Sequence, residues 1–402
     1  MKTVEFFTIA VAVLLSASCG RGGLGEDGMV TFDYSQMKEA GDTLRFSDLA
    51  SEPEFIALDS DTIDAFEAAS VLITENYIVK DAESMMSRTP VRVFDRHTGK
   101  FICNVGHLGR GPGEYLNSLQ TFVDEDGGRV WIMDAADHIK TYDITTGKYL
   151  GEVPLAYELM DELVSAPASF MVDGRAGTLT VVAIPYEEDS NPTIAWCQDM
   201  AGNILWEIPE TGRTRSRHPS NTLVSTSFNV DGVLDVSFSS QGDWPDTLYV
   251  LDGDMLRPVF TVNTRTLKDG SSMMNTLLPG KVLSTLIEMR EYMPRIIIGE
   301  PVASVITDLR TGESVSYPTE IINDFIGGYS GYQGDNSIQC GYLVQSIPAE
   351  EFLEAAPEAL KQGTLTGSAA RQVRAILSSL QPTDNDVLML ARLKNDGRVF
   401  CI

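Results

Sequence analysis

Val91-Arg92-Val93-Phe94-Asp95-Arg96-His97-Thr98-Gly99-Lys100-Phe101-Ile102 returns 48 residues later as Ile139-Lys140-Thr141-Tyr142-Asp143-Ile144-Thr145-Thr146-Gly147-Lys148-Tyr149-Leu150. From Phe94 and from Tyr142, both read aromatic, Asp, two variable residues, Thr, Gly, Lys, aromatic, aliphatic. Apolar and polar residues alternate on either side of the Asp/Thr/Gly segment, so each copy is two half-buried strands around a tight turn.

Weaker copies occur at Asp199-Met200-Ala201-Gly202-Asn203, Val250-Leu251-Asp252-Gly253-Asp254, Asp308-Leu309-Arg310-Thr311-Gly312 and Leu393-Lys394-Asn395-Asp396-Gly397. The turn glycines Gly99, Gly147, Gly202, Gly253, Gly312 and Gly397 are spaced by 48, 55, 51, 59 and 85 residues. A strand-built unit repeating at such a period stacks into a ring of blades. Six turns predict an all-β, six-bladed β-propeller. The long last interval holds Pro348-Ala349-Glu350-Glu351-Phe352-Leu353 and Ala369-Ala370-Arg371-Gln372-Val373, which have helical spacing. Residues 349–381 are therefore read as a helical insertion in the last blade. Two stacked β-sandwiches are the rival architecture, but they do not require a hairpin repeated at fixed offset. Glu54-Phe55-Ile56-Ala57-Leu58 precedes the first complete repeat and is expected to complete the last blade, protecting the edge where the ring closes.

Near the start, Lys2 is followed by an apolar run from Phe6 to Ala17, which ends in Leu15-Ser16-Ala17-Ser18-Cys19. The run is too short to span a bilayer and fits the apolar core of a secretory signal. Small residues before Cys19 resemble the bacterial lipobox, in which the cysteine is lipidated and becomes the mature N-terminus. Residues 1–18 are read as a signal peptide. Residues 19–43 are read as a lipidated N-terminus and flexible tether, and 44–402 as the propeller. Position 20 is Gly rather than Asp, which points to the outer membrane, with the body facing the periplasm or the outside.

Phe94-Asp95, Gly99-Lys100-Phe101-Ile102, Gly106 and Gly109-Arg110-Gly111-Pro112-Gly113-Glu114-Tyr115 are similar to the NHL-type propeller repeat. Together with Val130-Trp131-Ile132-Met133-Asp134 and Pro245-Asp246-Thr247-Leu248-Tyr249, they resemble the bacterial six-bladed β-propeller lipoproteins. The resemblance implies fold and location and little chemistry. The Asn-His-Arg of the NHL repeat is replaced by Asp137-His138-Ile139-Lys140, so nothing that depends on that Arg transfers.

Composition narrows the function. Hydrophobic residues are 43% and charged residues 22%, and the net charge is −27, which argues against nucleic acid or an anionic lipid surface held by a basic face. The four histidines, His97, His107, His138 and His218, have no metal-ligand spacing, and no Gly-x-Ser-x-Gly elbow occurs. No metal or cofactor is expected. Gly109–Gly113 has the look of a phosphate loop, but Leu116-Asn117-Ser118-Leu119 leads to a strand rather than a helix, so the stretch is read as a connection between blades. Its alternative is a ligand site made by His107, Arg110, Glu114 and Tyr115. Asp124-Glu125-Asp126-Gly127 lacks the later ligands of a calcium loop and is read as a turn. Cys103 and Cys401 each stand four residues after a turn glycine, in different blades, which disfavours a bridge between them and favours buried thiols. The pairing of Cys103, Cys197, Cys340 and Cys401 stays open.

The expected function is a non-enzymatic binding or accessory module of the cell envelope, whose partner is a peptide, a glycan or an outer-membrane transporter. The alternatives are a structural subunit of an envelope complex and a lactonase- or lyase-type propeller enzyme with a channel metal.

Overall fold

In the computed structural model, Asp95 Oδ1 accepts hydrogen bonds from the backbone N–H groups of His97 (3.0 Å) and Thr98 (2.8 Å) and from the Thr98 hydroxyl (2.7 Å). Asp143, Asp199 and Asp308 make the same kind of turn with the N–H groups downstream of them. A short carboxylate that satisfies its own downstream backbone is why Asp opens these four turns. The Thr98 hydroxyl holds the Asp95 carboxyl below the usual carboxylate range, and that of Thr145 does the same for Asp143. The glycine that ends each turn has positive φ: +70° at Gly99 and +65° at Gly147. Two of these glycines also meet the neighbouring blade. A Cβ on Gly99 would lie 1.9 Å from the Ala57 carbonyl oxygen, and one on Gly147 1.8 Å from that of Asn104. The same turns accept hydrogen bonds across the blade boundary, the Gly99 carbonyl from Asp59 N–H (2.9 Å) and the Gly147 carbonyl from Gly106 N–H (2.8 Å).

The structure describes residues 29–60, 70–81, 89–116, 118–135, 137–159, 168–184, 193–209, 222–230, 233–240, 247–268, 271–293, 296–319, 321–329 and 336–394. They form six antiparallel sheets, each running from an inner to an outer strand. The inner strands are Ser70–Ile73, Gln120–Asp124, Ala168–Asp173, Thr222–Val230, Ser271–Leu278 and Asn336–Gln339. The outer strands of blades 1 to 5 are Phe101–Asn104, Tyr149–Pro154, Ile204–Pro209, Met255–Val262 and Ser314–Tyr317. Blade 6 takes its outer strand, Ala50–Ala57, from the start of the chain, antiparallel to Val387–Leu393. That is the expected closure. Pro53 and the positive φ of Glu52 (+56°) are tolerated there because the outer edge has no further strand to pair. The helices Ala349–Gln362 and Gly367–Leu377 lie between Tyr342–Ile347 and Val387–Leu393 of blade 6. Their buried faces, through Phe352, Ala356, Ala359 and Val373, cover Phe46, Leu49 and Phe55. Among the described residues no helix is long and apolar enough to cross a membrane.

The tether reading of residues 30–43 is corrected. Val30–Phe32 pairs in parallel with Phe260–Val262 of blade 4, and Lys38–Glu39 with Val315–Ser316 of blade 5. Val30 and Phe32, each 1% exposed, alternate with exposed Thr31, so burial of two side chains holds this short strand to its blade. Residues 1–28, with the signal sequence and Cys19, lie outside the described residues, as do Gly397 and Cys401. The hydrogen bond from Leu393 N–H to the Gly341 carbonyl (2.8 Å) matches those from Arg96, Ile144 and Leu309 to Asn76, Gly128 and Gly280. This puts Arg392, not an aspartate, at the turn-opening position of the last blade.

Candidate functional site

Thr74, Asp126, Gly174 and Cys340, just past the ends of the inner strands of blades 1, 2, 3 and 6, stand together at one mouth of the central channel. There a cavity of about 580 Å³ is lined by every blade. Polar side chains on consecutive inner strands form a belt in its wall. Gln120 Nε2 donates to Ser169 Oγ (2.8 Å), and Ser169 Oγ shares a hydrogen bond with Thr226 Oγ1 (2.5 Å). Where the ring closes, Gln339 Oε1 accepts from Ile73 N–H (3.0 Å) and Gln339 Nε2 donates to the Val71 carbonyl, imitating a strand pair between blades 6 and 1. Apolar surface comes from Phe122, Phe170, Met171 and Phe228.

The mouth is acidic and cross-braced. Glu125 of blade 2 accepts from the side chain and N–H of Asn76 in blade 1. Burial pushes the Glu125 carboxyl up, but hydrogen bonds from Thr74 and Asn76 outweigh it and hold it below the ordinary range. Asp126 pairs with Arg175 of blade 3 at 2.6 Å. Asp124 fills a notch left by two glycines: a Cβ on Gly127 or Gly174 would fall 2.1 Å from its Oδ2. Asp124 Oδ2 and Gln120 Oε1 are buried acceptors with no hydrogen-bond donor.

Asp235, 3% exposed, lines the same cavity from the second strand of blade 4. Ser227 Oγ donates to it at 2.6 Å, and Asn229 Nδ2 donates to Ser227 Oγ at 2.9 Å. Burial pushes the Asp235 carboxyl up to about 7, against hydrogen bonds from Ser227 and the backbone that pull it down.

The four sequence candidates do not meet at this cavity. Tyr115 is 1% exposed, and its hydroxyl is committed to structure, accepting from Val91 N–H (2.8 Å) and donating to the Val105 carbonyl (2.9 Å). It is therefore corrected from ligand to brace. Glu114 Oε2 turns inward to accept Gly111 N–H (2.7 Å), closing the loop on itself and using an N–H that an anion would need. His107 and Arg110 are exposed on that loop, which joins blades 1 and 2 through a parallel pairing of His107–Leu108 with Glu114–Tyr115. The next element is a strand, Gln120–Asp124, and not a helix. Asp124-Glu125-Asp126-Gly127 is the turn after the inner strand of blade 2, closed by Gly127 N–H to Asp124 Oδ1 (2.9 Å). Among the described residues no three His, Cys, Asp or Glu side chains are placed to hold a metal ion. The sequence reading missed Asp173-Gly174-Arg175-Ala176-Gly177, although it carries the same signal as the recognised turns: Asp173 Oδ1 accepts the N–H groups of Arg175 (3.0 Å) and Ala176 (2.9 Å).

A family model described as a domain of unknown function, DUF4934, matches residues 29–392. The chain belongs to this family. Its match spans the whole ring, including the edge strands on blades 4 and 5. Among solved structures, a Bacteroides fragilis protein described as a candidate exported protein is similar at 14% identity, with a TM-score of 0.57, over 91% of this chain and 99% of that one. BamB from Moraxella catarrhalis is similar at 12% identity, with a TM-score of 0.35, over 87% of this chain and 99% of that one. The Bacteroides likeness shows the fold.

Proposed function

We propose that this DUF4934 protein is a lipid-anchored, non-enzymatic binding module of the bacterial envelope that takes its ligand into the channel mouth. The cavity lined by all six blades carries the reading, because a concave pocket with apolar walls and a few placed polar groups is the usual form of a small-ligand site. Anchoring at the outer membrane through Cys19 is supported by the lipobox-like Leu15–Cys19, and export by the description of the Bacteroides relative. Exposed Tyr149, Leu150, Ile204 and Leu205 on the outer strands of blades 2 and 3 favour a protein partner as the second reading.

The test is a thermal-shift screen of envelope peptides, glycans and small metabolites against the soluble chain and a Ser225→Trp variant that fills the channel. A compound that stabilises the first, fails to stabilise the second and is recovered unchanged supports the reading. Equal stabilisation of both, or turnover of the compound, overturns it. Labelling with radioactive palmitate, lost in Cys19→Ala, tests the anchor.

A further inference from the structure

Every buried side-chain atom of the cavity wall that lacks a hydrogen-bond partner is an acceptor. Among the described lining residues, Gln120 Oε1 and Asp124 Oδ2 lack donors, and no buried donor there lacks an acceptor. Charge points the same way. Among the described residues, Asp124, Asp126, Asp173 and Asp235 line the cavity and Glu75 and Glu125 its rim, against one guanidinium, Arg175, which is 80% exposed and already paired with Asp126. A donor-rich cation therefore suits the site, and an anion is opposed.

Asp235 is the deep member of this set. The inner strand of blade 4 offers it the Ser227 hydroxyl and the inner strand of blade 5 the Leu277 N–H, and Asn275 of that strand lines the same cavity. On its outer side Val250 pairs with it in register. Arg257 is one strand further out, with Asp252 as its nearest carboxylate at 3.9 Å. Among the described residues Asp235 has no ion pair. A buried carboxyl on a cavity wall without a cation is held towards its neutral form, and a cation entering the cavity would favour the ionised one.

We propose that the channel mouth binds a primary alkylammonium group, from a free diamine or a lysine side chain, as the counter-ion of Asp235, and that binding expels the Asp235 proton to solvent. This rests on the channel being the ligand site. An ammonium is a compact point charge with three donors, and its alkyl stem suits the walls formed by Phe122, Phe170 and Phe228. Because the ammonium favours the ionised carboxylate, affinity rises with pH by up to about tenfold per unit while Asp235 is protonated in the free protein, then levels off.

The experiment is calorimetric titration of the full soluble chain at pH 6 and pH 8, in two buffers of different ionisation enthalpy. The probes are cadaverine and acetyl-Gly-Lys-Gly-amide, with 1,5-pentanediol and acetyl-Gly-norleucine-Gly-amide as neutral counterparts. The expected result is at least tenfold tighter binding of an amine than of its neutral counterpart. Release should approach one proton per site at pH 6, with tighter binding at pH 8. The stronger of the two amines identifies the source. Asp235→Asn should weaken amine binding and erase its pH dependence. Ser227→Ala, which removes a donor to the ionised form, should shift the pH midpoint upward in a folded protein. Equal binding of the neutral probes, pH-independent amine binding, or no amine binding overturns the inference. A neutral or anionic ligand excluded by Ser225→Trp would still leave the channel as the binding site.

Discussion

Lys80 Nζ lies 2.9 Å from Asp386 Oδ2, joining blade 1 to blade 6 across 306 residues of sequence. Lys80 is 1% exposed, and Asp386 also accepts Ser346 Oγ at 2.6 Å. The same boundary holds Tyr342 between the guanidinium groups of Arg96 (4.7 Å) and Arg392 (5.0 Å). Ring closure is thus electrostatic and aromatic as well as strand-paired. Removing one partner of a buried pair is worse than replacing both. Asp386→Ala is therefore expected to destabilise the protein by about 3 kcal/mol in urea unfolding, and Lys80→Met with Asp386→Leu by less than the Asp386→Ala change alone.

The turn glycines are not equivalent. Gly147 and Gly253 both have positive φ, +65° and +62°, but a Cβ on Gly253 would meet nothing within 4 Å, whereas one on Gly147 would strike the Asn104 carbonyl. Gly253→Ala should cost only left-handed strain, about 1 kcal/mol. Gly147→Ala should cost clearly more, because the blade 1–blade 2 boundary must also shift. Parallel denaturation of the two variants checks the order.

The blades, the closing strand and the helical insertion were legible because each is local and repeated: an Asx turn, an alternating strand, a helical period. Val30–Phe32 and Lys38–Glu39 were not, because strands of two or three residues carry too little periodicity and exist only through the edge they meet. The cavity was illegible for a related reason. Each blade contributes only a few residues, such as Gln120, Phe170 and Thr226, at intervals of about 50, and their convergence is a property of the closed ring. The Gly109–Tyr115 loop has the composition of a ligand loop, yet Glu114 and Tyr115 spend their polar atoms on the loop and on neighbouring strands.

Thiol reactivity should track position. Burial pushes the Cys103 thiol up to about 11, with Asp143 adding to it, and Cys197 is buried. Cys340 is exposed at the cavity rim, although surrounding protein raises its thiol above the ordinary value. Alkylation needs both thiolate and access. With iodoacetamide at pH 8, Cys340 should be modified before Cys103 and Cys197, more slowly than a free thiol; peptide mass spectrometry over time reads the order.

Asp235 gives the sharpest pH signature. Its folded-state pKa of about 7 lies above the unfolded value, so between the two the native state holds a proton that the unfolded chain releases. Its contribution to stability is fully present below the unfolded pKa and is lost as pH rises through 7, at roughly 1.4 kcal/mol per unit. Asp235→Asn removes the cost of burying a charge while keeping the shape and the acceptor for Ser227. The variant should therefore melt higher than the parent at pH 8, with the gap shrinking towards pH 5. Thermal unfolding of both proteins across that range decides the matter, and a gap that grows towards acid pH would show that Asp235 is ionised when folded.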